Sequence, residues 1–177
     1  MTYRSYKRFF KESWLELERQ FRNELVNPQQ ENDVVCYLYY ALAKRFDKKK
    51  LPLSFIRTED TRYIGRWWLR PDINLNDRLF VEVRMYPLRK YGKGWKRKKQ
   101  DIAYHVEKLE DYIIEVQSKT SILVRKPVLA LWFWKNEEKQ EFPIETKLID
   151  NELREKLEKV RERYKERVTI MYGPRRR

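Results

Sequence analysis

Two short apolar segments decide the fold of this chain: RPDINL at residues 70–75 and LFVEVRMY at residues 79–86. The residues around the join are rich in Asn and Asp, so the segments are predicted to form two β-strands of a hairpin. Side chains alternate along a strand, which puts Glu82 and Arg84 on one face and Val81, Val83 and Met85 on the other. This acid–base pair indicates either a solvated face with a cross-strand ion pair or a metal site with a positive group beside it.

The composition is that of one folded domain. Of the 177 residues, 41% are hydrophobic and 15% aromatic, which is enough for a core and excludes a disordered chain. Charged residues make up 38%, well above the usual quarter, and such enrichment is typical of thermophile surfaces.

The charge balance points to a polyanionic partner. Lys and Arg number 41 against 27 Asp and Glu, a formal net charge of +14. Nucleic acid is the simplest partner, and an acidic membrane or protein surface is the alternative. The lone Cys36 and the lone His105 exclude an intramolecular disulfide, a cysteine zinc cluster and a multi-histidine metal site. We expect Cys36 in the core and His105 as an ordinary packed or half-exposed histidine rather than a metal ligand.

No segment indicates export or a membrane. The N-terminus lacks the apolar core of a signal peptide, and no apolar run approaches the length of a membrane span. We therefore expect an intracellular, cytoplasmic protein without membrane contact.

Periodicity and turn signals predict an α/β protein of order α-α-β-β-β-α-β-α-β, with a mixed central sheet flanked by helices. Residues 1–177 form one domain, in which helix 1–27 is added to the core and 174–177 form a basic tail. The predicted helices are 4–26, 28–46, 97–118 and 150–165, and the predicted strands are 53–57, 63–75, 79–86, 128–134 and 168–172.

The first two helices carry informative stripes. In the first, Phe10, Trp14, Leu17, Phe21 and Leu25 recur at helical spacing. Core packing is the preferred interpretation, and a homodimer contact is the alternative.

The second helix is predicted to begin with Asn27 as its cap and Pro28 as its first residue. Glu31 then lies in phase with the apolar stripe of that helix. A Glu there is costly unless it is partnered or coordinated. The alternative is a solvated carboxylate at the positive end of the helix.

A basic segment follows the hairpin, in residues 86–99. Its cations have no acid among them, two glycines loosen the backbone, and aromatic rings are interleaved. Such a loop can follow phosphates and stack a ring on a base, whereas the alternative is a solvated charge run. The predicted nucleic-acid-binding residues are Arg89, Lys90, Lys93, Trp95, Lys96, Arg97, Lys98 and Lys99.

The element order, together with PD at 71–72 and EVR at 82–84, resembles the PD-(D/E)XK nuclease superfamily, which has the restriction-endonuclease-like fold. That family has an acidic residue on a helix, then Pro-Asp and (Asp/Glu)-x-Lys on a strand meander. Glu31 matches the helix acid, Asp72 and Glu82 match the motif acids, and Arg84 stands where the family has Lys.

The resemblance extends over about residues 28–172. The segment QDIAY at 100–104 is similar to the Gln-x-x-x-Tyr element of RecB-like members, which makes Gln100 and Tyr104 auxiliary site residues.

The resemblance implies a bound Mg²⁺ or Mn²⁺, which supplies charge and lowers the pKa of its water. The implied ligands are the carboxylates of Glu31, Asp72 and Glu82 and the carbonyl of Val83. Arg84 can stabilise charge but stays protonated and cannot act as a base. Lys99, which leads the stripe of the third helix, is a candidate substitute for the motif Lys.

The resemblance thus implies a Mg²⁺-dependent endonuclease that hydrolyses DNA, either structure-specific or of a repair or restriction type. The alternative is a non-catalytic nucleic-acid-binding protein on the same fold. A basic structural protein whose carboxylates only make ion pairs is the third interpretation. DNA is the expected partner, with RNA as the alternative.

Overall fold

Helices flank a five-stranded mixed sheet in the computed structural model. The residues that the structure describes are 1–28, 30–59, 70–87, 94–120, 126–134 and 151–174. The predicted α/β class and element order are confirmed there. The elements are α1 Tyr3–Arg22, α2 Glu31–Lys48, a 3-10 turn Leu53–Phe55, β1 Ile56–Thr58, β2 Ile73–Leu75, β3 Leu79–Pro87, α3 Gly94–Lys119, β4 Val128–Trp134, α4 Asn151–Arg163 and β5 Thr169–Gly173.

The strand order is β1-β2-β3-β4-β5, so β3 is the central strand of the sheet. β1 and β2, and β2 and β3, pair antiparallel, whereas β3 and β4, and β4 and β5, pair parallel. Parallel neighbours need a crossover connection, and the segments containing α3 and α4 supply it. Glu82 lies opposite Leu129 and Arg84 opposite Leu131, which places both charged residues inside the sheet.

The turn between β2 and β3 fixes the register of the hairpin. Asn76 and Asp77 have φ of 51° and 56°, the left-handed region that these residue types tolerate. The Asp77 N–H donates to Asn74 Oδ1 at 2.9 Å, and Asn74 Nδ2 donates to Asp77 Oδ1 at 2.8 Å. Arg57 of β1 pairs with the same Asp77 carboxylate. The predicted hairpin is confirmed, and it brings the chain before β2 alongside the middle of β3.

Two hydrophobic layers enclose the sheet. The layer under α1 and α2 contains Val83, Trp14 and Trp132, and the two Trp rings meet edge to face at 5.5 Å. The layer under α3 and α4 contains Phe80 and Tyr112. Alternation along β3 therefore turns Glu82 and Arg84 towards α3, inside an apolar layer.

The aromatic stripe of α1 packs in the core as expected, but α1 ends at Arg22 and Leu25 is exposed. Glu24 follows with φ of 57°, a left-handed conformation that stops the helix before the stripe reaches Leu25. No finding bears on the homodimer alternative.

The predicted start of α2 is wrong. The helix begins at Glu31 rather than at 28, because the N–H of its cap, Gln30, donates to the Asp33 carboxylate at 3.0 Å. Cys36 is exposed and not in the core, since it lies 200° around the helix from the buried Leu38.

The predicted basic loop is partly helical, because α3 begins at Gly94. Residues 95–99 therefore belong to its first turns, as a Gly does not prevent a helix from starting there. The remaining basic residues of the loop, Arg89, Lys90 and Lys93, lie outside the described residues, as do predicted strand residues 63–69 and most of the basic tail.

Within the described residues, no helix combines the length and the apolar composition that a membrane span requires.

Candidate active site

A buried carboxylate on the central strand is the centre of the candidate site. The Glu82 side chain has no exposed surface, and its Oε1 lies 2.7 Å from Lys108 Nζ and 3.1 Å from His105 Nδ1. Arg84 also donates to this oxygen. The other oxygen, Oε2, is buried without a hydrogen-bond partner among the described residues. A buried charge requires such compensation, and α3 supplies most of it.

Arg84 contacts side chains from α2, β3 and α3. Its two terminal nitrogens pair with Glu31 at the start of α2 and with Glu82 on β3. Its Nε lies 2.8 Å from His105 Nε2. The same Nε also lies 3.1 Å from His105 Nδ1, which is itself 3.1 Å from Glu82 Oε1. With its proton on Nδ1, the imidazole donates to Glu82 and accepts from Arg84 through the nearer Nε2. All three guanidinium nitrogens therefore donate to groups of this site.

Asp72 precedes β2 and bonds to the backbone of β3. Its Oδ2 accepts from the Val83 N–H at 2.6 Å. Burial, followed by repulsion from Glu82, raises the pKa of Asp72 to about 7, against the lowering effects of the Val83 bond and of Arg84. Asp72 therefore exchanges its proton at a much higher pH than an ordinary Asp carboxyl does.

Glu82 titrates in the opposite direction from its neighbour. Burial alone would raise the pKa of Glu82, but the hydrogen bond from His105 and the charges of Arg84 and Lys108 lower it. The environment thus shifts the pKa values of two neighbouring carboxyl groups in opposite directions: Glu82 stays ionised, whereas Asp72 titrates near neutral pH. Such a separation is common where carboxylates have distinct chemical roles.

The donor chemistry fits a divalent cation, although the observed arrangement is not a formed metal site. Glu31, Asp72 and Glu82 supply carboxylate oxygens, the ligands Mg²⁺ prefers, and Glu82 Oε2 is a buried acceptor without a partner among the described residues. In those same residues, however, no three acidic, His or Cys side chains are placed to hold a metal. The Arg84 guanidinium bridges Glu31 and Glu82 instead. The Val83 carbonyl stays a prediction.

Sequence reasoning missed two members of the site. His105 was expected to be an ordinary packed residue, and it instead contacts both Glu82 and Arg84. Lys108 was not singled out, yet it is buried against Glu82. One signal was available: Lys108 lies three residues after His105 and four before the buried Tyr112, on the inner face of α3.

The auxiliary and nucleic-acid-binding predictions have mixed outcomes. The Tyr104 ring lies edge-on to His105 with centroids 5.2 Å apart, so this residue borders the site. The side chains of Trp95, Lys96, Arg97, Lys98, Lys99 and Gln100 lie outside the part that the structure describes. Their binding roles stay predictions.

Comparison of the chain with family models, with curated proteins and with solved structures gives no match. Function is therefore argued from the site itself.

The raised pKa of Asp72 predicts a pH-dependent stability without metal. Protonated Asp72 stabilises the fold fully below its ordinary pKa of 3.8, and this contribution is lost as the pH rises to about 7. Between those values the loss approaches about 1.4 kcal/mol per pH unit. Glu82 has a pKa lowered from its ordinary 4.5, so its contribution has the opposite sign, falls mainly below that pH and adds little slope above about pH 5.

Denaturant unfolding in EDTA between about pH 5 and about pH 7.5 measures this effect. We expect wild type to lose more stability across the range than Asp72→Asn, since Asn keeps an acceptor for Val83 but does not titrate. Parallel pH profiles for the two proteins would contradict the assignment.

Proposed function

We propose that this protein is a metal-dependent endonuclease that hydrolyses DNA phosphodiester bonds on a restriction-endonuclease-like fold. One observation carries the proposal. Glu31, Asp72 and Glu82 come from three separate segments, and they converge around one arginine. A solvated strand face would not bury Glu82 completely or surround it with donors from another helix.

The net charge of +14 supports a nucleic-acid substrate. The long basic run of the sequence enters the first turns of α3, the helix that also carries His105 and Lys108. Residues 95–99 of the predicted binding segment and two residues of the candidate site therefore lie on the same helix. Cations near the acids would hold the phosphate backbone against them.

Each residue has a role in this proposal. Glu31, Asp72 and Glu82 would hold the cation, which when bound supplies positive charge and a water of lowered pKa. Arg84 would place its fixed charge on the phosphate. Lys108 takes the role for which Lys99 was considered, because an ammonium at Glu82 can orient a water and exchange a proton.

A cleavage panel tests the proposal. Supercoiled, branched and single-stranded DNA are incubated with the protein in Mg²⁺, in Mn²⁺ and in EDTA, with matched RNA substrates alongside. We expect cleavage of at least one DNA substrate with either metal and none in EDTA. Cleavage that persists in EDTA, or cleavage of RNA alone, would contradict it.

A non-catalytic nucleic-acid-binding protein is the second candidate. It is favoured by the cations that already neutralise the acids, namely Arg84 on Glu31 and Glu82 and Lys108 on Glu82. In that case the protein binds DNA and cleaves none of the panel.

The basic start of α3 gives a prediction of its own. Charge reversal to Glu at Lys96, Arg97 and Lys98 is expected to weaken DNA binding and to flatten its dependence on salt. Each lost phosphate contact lowers the log–log slope by about 0.9. The measurement is fluorescence anisotropy of a labelled duplex across a salt series.

A matched control reverses three exposed cations on α4, Arg154, Lys159 and Arg163. The two triple variants change the net charge equally, so a difference between their salt slopes reports lost phosphate contacts rather than net charge. We expect the α3 variant to have the flatter slope. Equal slopes would place the DNA surface elsewhere.

A further inference from the structure

Arg84 occupies the position of a counter-ion in the acid cluster. Its terminal nitrogens pair with Glu31 and Glu82, and its Nε donates to His105 at 2.8 Å. The guanidinium has five N–H donors in a planar fork, and all three nitrogens are directed at protein groups. In this arrangement, the N–H groups that could bind a phosphate bidentately are already bonded to Glu31 and Glu82.

The same contacts compete with a divalent cation. Two carboxylates that would coordinate the metal each accept from Arg84 through one oxygen, and Arg84 is only about one-fifth exposed. A metal that took these oxygens would face the guanidinium at close range, where the repulsion is poorly screened. A bound metal and the observed position of Arg84 therefore oppose each other.

A phosphodiester relieves this conflict. It offers anionic oxygens to the Arg84 fork, so the guanidinium can leave Glu31 and Glu82 without losing its charge partner. Lys108 remains against Glu82 Oε1, and Glu82 Oε2 is the buried acceptor that lacks a partner among the described residues. His105 Nδ1 lies 3.1 Å from Glu82 Oε1, and this contact does not require Arg84.

We propose that Arg84 is an exchangeable counter-ion that couples the two ligands of this site: it neutralises Glu31 and Glu82 when they hold no metal, and it passes to the DNA phosphate when metal binds. This inference rests on the proposed function. Linkage makes the effect reciprocal, so DNA tightens metal binding by the same factor by which metal tightens DNA binding. Binding of either the metal or the DNA releases Arg84 from Glu31 and Glu82, which favours binding of the other.

The test measures binding rather than cleavage. Mn²⁺ affinity is followed by electron paramagnetic resonance, with and without a phosphorothioate duplex, after subtraction of Mn²⁺ bound by the duplex alone. Affinity for the same duplex is measured by anisotropy with and without Mn²⁺ at constant ionic strength. The proteins are wild type, Arg84→Met, Arg84→Lys and the control Arg8→Met, which removes an exposed arginine of α1.

For wild type we expect the duplex to tighten Mn²⁺ binding by about tenfold or more, within the usual range of coupling between sites. Arg84→Met should bind Mn²⁺ more tightly than wild type without DNA, and the duplex should add little. Arg84→Lys should couple less than wild type, because an ammonium lacks the fork that bridges two carboxylates. Arg8→Met should behave as wild type.

Thermal unfolding of each variant identifies any that fails to fold, and Arg84→Lys keeps the test decisive if Arg84→Met is among them. Mn²⁺ binding that is equal in all variants, or coupling that persists in Arg84→Met and Arg84→Lys, would overturn the inference and leave the nuclease proposal standing. No Mn²⁺ binding by any protein, with or without the duplex, would overturn both.

Discussion

Replacement of Glu82 by Gln is expected to abolish cleavage and to destabilise the protein. Gln keeps the shape of the side chain but removes the anion that faces Arg84, Lys108 and His105. Removal of one partner from a buried ion pair costs about 3–5 kcal/mol, because the remaining charge is uncompensated. Loss of a carboxylate from the proposed metal site should lower the cleavage rate by about 10³-fold or more, since metal assistance is worth several kcal/mol.

Cleavage rates and denaturant unfolding together test this prediction, and a second buried acid is the control. Asp77 is also buried and paired with an arginine, but it lies in the β2–β3 turn. Asp77→Asn should destabilise the fold while folded protein keeps its cleavage activity. If Glu82→Gln cleaved DNA like wild type, Glu82 would be a structural residue only.

Replacement of Lys108 by Met should produce the second large loss of activity. Met preserves much of the buried stem and removes the ammonium that lies 2.7 Å from Glu82 Oε1. Loss of one preorganised charged donor typically costs about 10²–10³-fold in rate. Lys108→Arg should recover charge but not full activity, because a guanidinium cannot exchange its proton in this role.

The control for Lys108 is Lys119→Met on the same helix, where the ammonium pairs with Glu115 at the surface. This variant should cleave at the wild-type rate, as exposed i,i+4 pairs contribute little. Single-turnover cleavage at saturating DNA separates the chemical step from binding. Full activity in Lys108→Met would remove the residue from the mechanism, and full activity in Lys108→Arg would limit it to a fixed charge.

The sequence predicted the features that depend on local chemistry. The β2–β3 hairpin follows from Asn and Asp residues that tolerate left-handed backbone, and it determines where Asp72 meets β3. Helical phase was sufficient to turn Glu31 towards the sheet. Alternation along β3 placed Glu82 and Arg84 on one face.

Features that depend on how elements meet were not predictable in the same way. That Lys108 and His105 oppose Glu82 depends on the register of α3 over β3, for which a single sequence carries no direct signal. The apolar stripe of α3 was recognised, but Lys108 was not singled out beside it, since most Lys residues are exposed. Asn27 was predicted as the cap of α2, whereas the observed cap is Gln30, whose N–H donates to the Asp33 carboxylate.

The most direct test of the account compares wild type with Glu31→Gln in Mg²⁺ and in EDTA at equal DNA occupancy. Glu31 is about one-third exposed at the start of α2, and Arg84 keeps Glu82 and His105 as partners when Glu31 is replaced, so the fold should stay intact. The account predicts Mg²⁺-dependent cleavage by wild type and none by Glu31→Gln. Equal cleavage by both proteins, or DNA binding by wild type without cleavage in Mg²⁺, would contradict it.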